Sequence, residues 1–295
     1  MDEAKRKVES LIQVFKEGGF PLGKWKTNVP EIADFIRRAT KDDNPEILCQ
    51  QTNSEFLGVS WNQVSDTLFI DTSEVEGFLS KGPHTKRNLL RNLSQIYDPP
   101  GLLACVSINF KTLTRVLWAK KFDWDTRLEG EVLTDYLSAV EKLSVAPLIQ
   151  ISRPMFGFEP SRASRELHVF ADSSLRAYGA VAYLKEIPTD SSPALVSFLM
   201  AKARVGPLKG RWTIHRLELM AALIAAKLAR RISENIVEGV SKVYLYSDNS
   251  SVLGWLRDSP ERWKPFVANR NREIRSITHL SSFSYVRSED NPADF

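Results

Sequence analysis

The sequence predicts an α/β fold of the α+β kind, with a five-stranded mixed sheet and its helices in residues 161–295 of the 295-residue chain. Three observations predict it. After Ser164, short apolar runs alternate with turn-rich connections, the pattern of an antiparallel meander. A run rich in Ala and Leu follows from Ile214 to Ile232, with the propensity and length of a core helix. Beyond it strand-like and helical runs alternate again, so the order reads βββ-α-β-α-α-β.

The elements follow in chain order. Val8, Leu11, Ile12 and Phe15 form an i, i+3, i+4, i+7 stripe, a helix that Gly18-Gly19 stops. An apolar face this early predicts packing against something. Loops and short helices lead to Gln51. Phe56–Trp61 and Thr67–Ile70 are strand-like around Asn62–Asp66 and predict a hairpin. Gly82-Pro83 is a breaker. Helix is predicted over 85–143, except at Tyr97–Gly101, where Pro99, Pro100 and Gly101 forbid it. Pro147, Pro154 and Pro160 mark 145–164 as a linker. Strands are predicted at Leu167–Ala171, Gly179–Leu184 and Ala194–Leu199. After the long helix come a strand at Val243–Tyr246, helices at Ser250–Leu256 and Lys264–Ile277, and a strand at Phe283–Val286. The chain thus divides into segments 1–75, 76–160 and 161–295.

Composition narrows the class. Hydrophobic residues make 43% and charged residues 26%, a globular balance rather than a disordered one. The net charge of +4 permits a nucleic-acid partner without requiring it. Cys49 and Cys105 stand apart, in no C-x-x-C pair, which argues against a disulfide framework and a zinc site. A reducing compartment fits, cytoplasmic or nuclear, and the charged start is unlike a signal peptide. No apolar stretch approaches 18 residues, so no membrane partner is expected. Both ends read as cut: the first helix begins almost at Met1, and Asn291–Phe295 reads as a helix entry, which predicts a loosely held Asp294.

Four acids carry the functional reading. Asp172 and Asp248 follow strand-like runs, Glu218 lies in the long helix, and Asp294 lies near the C-terminus. Singly, Asp172 and Asp248 also read as turn or helix caps, and Asp294 as an ordinary helix start. Glu218 is different, because Leu217, Leu219, Met220, Ala221 and Ala222 surround it and a core acid needs a partner. Gathered in space, the four could not all stay ionised without cations. Hard divalent ions with oxygen ligands resolve that conflict, and two such ions about 3.5–4 Å apart are the usual device for cutting a phosphodiester.

With these acids stand the motifs Phe-Ala-Asp-Ser-Ser (170–174), His-Arg-Leu-Glu-Leu (215–219), Ser-Asp-Asn-Ser-Ser-Val-Leu-Gly-Trp-Leu (247–256), Trp-Lys-Pro-Phe-Val-Ala-Asn-Arg (263–270) and Asn-Pro-Ala-Asp (291–294). Upstream are Gly18-Gly-Phe20 with Lys24-Trp25, Phe56–Asn62 and Ile96–Leu102. On these residues the chain resembles the reverse transcriptase–ribonuclease H region of BEL/Pao long-terminal-repeat retrotransposon polyproteins, a region also called the Pao retrotransposon peptidase. The resemblance covers essentially the whole chain. It implies a ribonuclease H-like domain at 161–295, preceded by the C-terminal remnant of a reverse-transcriptase palm (1–75) and a helical thumb or connection (76–160). It implies two Mg²⁺ ions, replaceable by Mn²⁺, with Asp172 bridging both, Asp294 completing the water-activating site, and Glu218 and Asp248 at the leaving-oxygen site. The substrate implied is an RNA–DNA hybrid, cut in its RNA strand to leave a 5′-phosphate and a 3′-hydroxyl. Ser173 and Asn249 are expected to contact it near the 2′-hydroxyls.

The sequence departs from that pattern in two places. Many ribonuclease H domains carry a His nine or ten residues before the last Asp, where this chain has Tyr285 and Ser284. His279 reads as a surface residue and His215 as structural or substrate-contacting. The C-terminal helix is the second departure. Tyr-x-Asp-Asp is absent, and Asp42-Asp43 has no hairpin pattern around it, so no polymerase activity is expected. Neither Asp71-Thr-Ser73 nor Asp172-Ser-Ser174 has the Gly of an aspartic-peptidase motif. Basic residues flank the acids: Lys202, Arg204, Lys209, Arg211 and Arg216, then Arg257 to Arg275, among Trp255, Trp263 and Phe266. They read either as solvated faces over core aromatics or as a phosphate-tracking surface, with Lys209, Arg211 and Arg270 the chosen contacts. The leading expectation is therefore a two-metal ribonuclease H acting with the upstream polymerase part of its polyprotein. The rival is a catalytically silent remnant that at most binds nucleic acid.

Overall fold

A computed structural model of the chain describes residues 1–40, 46–51, 54–146, 149–208, 210, 212–279 and 282–294. The readings placed on Asp42-Asp43, Lys209 and Arg211 lie outside the described residues. Two compact units emerge, residues 1–71 with 150–153, and residues 72–149 with 154–295.

In the first unit α1 (Asp2–Glu17) packs on α2 (Pro30–Ala39) beside a parallel pair, β1 (Lys24–Thr27) and β2 (Glu46–Cys49). Val8 is buried with Ile32 and Ile36, and Ile12 packs against them. Leu11 and Phe15, the rest of the predicted stripe, are 45% and 41% exposed. An antiparallel sheet follows, of β3 (Ser54–Phe56), β4 (Val59–Asn62), β5 (Thr67–Phe69) and β6 (Ile151–Ser152). The Phe56–Trp61 run is thus two strands and not one. Leu57 (φ 49°) and Gly58 (φ 73°) form the two-residue turn between them, both with the positive φ that a type I′ hairpin turn needs. The expected hairpin pairs β4 with β5. Asp66 organises it, accepting from Trp61 Nε1 at 2.9 Å and from both arms of Arg153. Those donors, Arg153 foremost, hold the Asp66 carboxyl below its ordinary range. Arg153 also brings β6 into the sheet, so the predicted linker contributes a strand to this unit.

In the second unit four helices come first: α3 (Ser73–Lys81), α4 (Lys86–Leu93), α5 (Ala104–Ala119) and α6 (Gly130–Leu143). The break before α5 behaves as its composition demands. Asp98 accepts from the amides of Leu102 and Leu103 at 2.9 and 2.8 Å, satisfying two donors at the entry to the new helix. Gly101 has φ 75°, and a Cβ there would stand 2.0 Å from the Ala201 carbonyl oxygen. Ala201 in turn donates to the Pro100 carbonyl at 2.8 Å. The turn is therefore fitted to the strand that holds Ala201.

That strand is β9 (Leu195–Val205), the edge of a five-stranded sheet with β7 (Ala163–Ser173), β8 (Ala177–Pro188), β10 (Val240–Ser247) and β11 (Phe283–Tyr285), ordered β11-β10-β7-β8-β9. β7, β8 and β9 form the predicted meander, while β10 and β11 join in parallel, giving the mixed sheet that the sequence predicts. Parallel pairing needs crossovers. They are α7 (Ile214–Asn235), then α8 (Ser250–Arg257) with α9 (Pro265–Ile277). α7 is buried nearly all round because β7 and β8 cover one face while α8 and α9 cover another. Ala221, Ala222, Ala225, Ala226 and Ala229 are the small residues that allow this close approach.

Candidate metal centre

The strand register builds the site. β7 and β10 are parallel neighbours, with Ala171 paired to Ser247. Asp172, the next residue on β7, and Asp248, just past β10, therefore stand side by side at the carboxyl ends of adjacent strands. Glu218 reaches them from the second turn of α7, which packs on β7. Carboxylate oxygens of Asp172, Glu218 and Asp248 lie within 4.8 Å of one another. Asp172 is only 9% exposed and Glu218 4%.

The electrostatics follow from that crowding. Burial pushes the Asp172 carboxyl up to about 7, and the charges of Asp248 and then Asp294 add to it, against a lowering by the Ser173 amide. Burial likewise pushes Glu218 up to about 8, with Asp172 and Asp248 adding, against Ser173. Glu218 Oε2 and Ser173 Oγ are both buried without a hydrogen-bond partner of good geometry. A buried carboxylate oxygen so placed, with two more carboxylates facing it, suits a hard divalent cation, which takes oxygen ligands.

Asp294 does not join the tight group of three. It is exposed, yet close enough for its charge to raise Asp172. Its backbone is held, in contrast to the expected looseness. The Asp294 amide donates to the Asn291 carbonyl at 3.1 Å, and buried Asn291 Nδ2 donates to the Ala171 carbonyl at 3.1 Å. Asn291 Oδ1 also accepts the Ala293 amide. Asn291 thus ties the chain's last turn to the strand residue before Asp172. Ser288 Oγ donates to Asp248 Oδ2. Sequence reasoning missed both Asn291 and Ser288. Asn291 stood in a recognised motif but read only as a helix entry, and Ser288 had no local signal.

The remaining expected residues divide. Ser173 borders the cluster. Asn249 caps α8, accepting from the Val252 amide at 3.2 Å, and its Nδ2 faces His215 Nδ1 at 3.3 Å. His215 also meets Trp255 edge-on. Arg270 lies over the Phe266 ring at 4.4 Å, and Arg216 of α7 approaches the same ring at 5.0 Å. Phe266 and Trp255 pack against the core, as expected. His279 is exposed. Among the described residues no helix is long and apolar enough to cross a membrane.

A family model described as Pao retrotransposon-like RNaseH-like domain matches residues 85–249. No curated protein sequence matches the chain. Among solved structures, a foamy viral protease-reverse transcriptase in complex with double-stranded DNA is similar at 14% identity and TM-score 0.45, over 87% of this chain. This chain spans only 42% of that protein's length. RNase H1 from Halobacterium salinarum is similar at 15% identity and TM-score 0.28, over 44% of this chain and 90% of its own. LC11-RNase H1, solved with an RNA/DNA hybrid, is similar at 11% identity and TM-score 0.29, over 44% and 89%. Likenesses this distant bear on neither site nor substrate.

Proposed function

This chain belongs to the Pao retrotransposon-like RNaseH-like domain family, and from that premise we propose that it hydrolyses the RNA strand of RNA–DNA hybrids with divalent cations held by Asp172, Glu218, Asp248 and Asp294. The observation that carries the proposal is the convergence of Asp172, Glu218 and Asp248 within 4.8 Å, with a buried Glu218 oxygen that has no hydrogen-bond partner of good geometry. Two Mg²⁺ ions, or Mn²⁺ in their place, fit such a donor set. When bound, they would supply an activated water and stabilisation of the leaving oxygen.

The chain's own residues do the rest. Asp172 and Glu218 must both be ionised to hold a cation, and burial opposes that, so protons and cations compete for the pair. Ser288 orients the Asp248 carboxylate. Asn291 fixes the end of β7 and places Asp294 beside it. Ser173 and Asn249 border the group and are assigned to the sugar edge of the substrate, where the 2′-hydroxyl distinguishes RNA from DNA. Arg270, with Lys209 and Arg211, is assigned to backbone phosphates. In this reading residues 1–75 are the tail of a polymerase palm, 76–160 a thumb or connection, and 161–295 the nuclease. Polymerase and peptidase activity are not expected, and the place of action is the cytoplasm or nucleus, with the polymerase part of the polyprotein.

The test is cleavage of a labelled hybrid in Mg²⁺ and in Mn²⁺, with duplex DNA as control. RNA cleavage that Asp172→Asn abolishes, while hybrid affinity stays within about threefold (~0.65 kcal/mol), is the expected result. Robust cleavage by Asp172→Asn would end the metal assignment. Binding without any cleavage by the unaltered chain would leave the silent remnant as the better reading.

A further inference from the structure

A cleft of about 490 Å³ opens beside the acidic cluster. One wall is Asp172, Ser173 and Arg176, where β7 turns into β8; the other carries Arg115, Lys120 and Lys142, from α5, its C-terminal end and α6. The walls are fixed to each other. Arg115 Nη1 donates to the Arg176 carbonyl at 3.1 Å and to the Gly206 carbonyl at 3.0 Å, stapling α5 to the turn after Asp172 and to the end of β9. Gly206 leaves room for that guanidinium, since a Cβ there would stand 3.1 Å from it. Lys142 Nζ reaches Asn109 Oδ1 at 3.4 Å, linking α6 to α5. Glu131 and Asp135 also line the cleft, so four cations face two anions apart from the acidic cluster.

A nucleic-acid strand cut at Asp172 has to continue past it in both directions. The carboxylates themselves repel phosphates, so the strand needs compensating cations close by. Arg115, Lys120, Lys142 and Arg176 lie along one exit. We infer that the cleft between α5, α6 and the β7–β8 turn is a second binding groove for the substrate's sugar–phosphate backbone, so that the helical segment forms part of the nuclease's own binding surface. This inference rests on the nuclease reading above.

The experiment measures hybrid binding by fluorescence anisotropy across a salt series, in the full chain carrying Asp172→Asn so that nothing is cut. Adding Lys120→Glu with Lys142→Glu should weaken binding at low salt about tenfold or more and flatten the log–log salt slope by about 2, near 0.9 for each phosphate that is no longer neutralised. Lys185→Glu with Lys242→Glu, outside the cleft and equal in charge change, should leave affinity within about twofold, as bulk charge alone contributes little locally. Unchanged binding by the cleft pair, equal loss in both pairs, or no hybrid binding at all overturns the groove. Failure of the nuclease reading is a separate result, seen as no cleavage by the chain with Asp172 intact, and a selective loss in the cleft pair would still establish the groove.

Discussion

Asp172 and Glu218 have opposite demands placed on them by folding and by cation binding. In the cation-free chain each keeps a proton at a pH where the unfolded chain has released it, since their carboxyls titrate near 7 and 8. Folding therefore takes up protons between the ordinary carboxylate range and about pH 8, and stability falls as pH rises through that window. Thermal melts in EDTA should show a higher Tm at pH 6 than at pH 8.5, with Mg²⁺ reducing the difference. Asp172→Asn should remove much of this dependence and stabilise the cation-free protein at pH 8 by about 1–2 kcal/mol. A flat Tm in EDTA would mean that the pair is better solvated than its burial indicates. Asn291 makes the complementary case. Asn291→Ala removes buried hydrogen bonds to Ala171 and Ala293, and should cost about 1–3 kcal/mol. It should also lower turnover more than substrate affinity, because Asp294 loses its tether. Of these residues the acids were legible in the sequence, since a strand-end Asp and a Glu among Leu and Ala are local patterns. The partner of Asn291 was not, because it lies 120 positions away.

At the scale of elements, the break between α4 and α5 is an attachment and not merely a stop. Gly101 has a left-handed backbone and sits against Ala201, so Gly101→Ala meets both backbone strain and a clash with an edge strand. A loss of about 2–4 kcal/mol in urea unfolding is expected. A loss under about 0.5 kcal/mol, the range of ordinary surface changes, would show that the turn moves freely away from β9. The order of elements and the starts of the helices in residues 161–295 were readable, because turn residues and clear periodicity mark them. In contrast, β7, β8 and β9 extend well beyond the apolar runs that predicted them, since pairing carries a strand on through its polar residues. Among the runs misread were Phe56–Trp61, folded back at Leu57-Gly58, the proline-rich linker, part of which pairs with β5, and residues 120–129, expected as helix but forming the connection from α5 to α6, where Arg127 bridges to Thr85.

For the molecule, the grouping of residues 72–149 with 154–295 matters most. α5 and the Pro100–Gly101 turn cover β9, the edge of the sheet, and an uncovered edge strand is a site for unwanted pairing. A fragment starting at residue 161 should therefore melt at lower temperature than one starting at residue 72, and should aggregate more readily. Residues 72–295 should unfold in one transition. Two well-separated transitions would show that the helices fold independently of the sheet.

By itself, the sequence determined the strand and helix order of residues 161–295 and marked four acids as candidates, because propensity, periodicity and turn chemistry act over neighbouring residues. Only the tertiary structure decided which acids meet. The parallel register of β7 with β10 sets Asp172 beside Asp248, α7 brings Glu218 to both, and Asn291 holds Asp294 nearby yet outside the tight group. It also decided that α5 and α6 wall the cleft beside them. Those juxtapositions depend on register and packing between distant segments, and local composition carries no record of either.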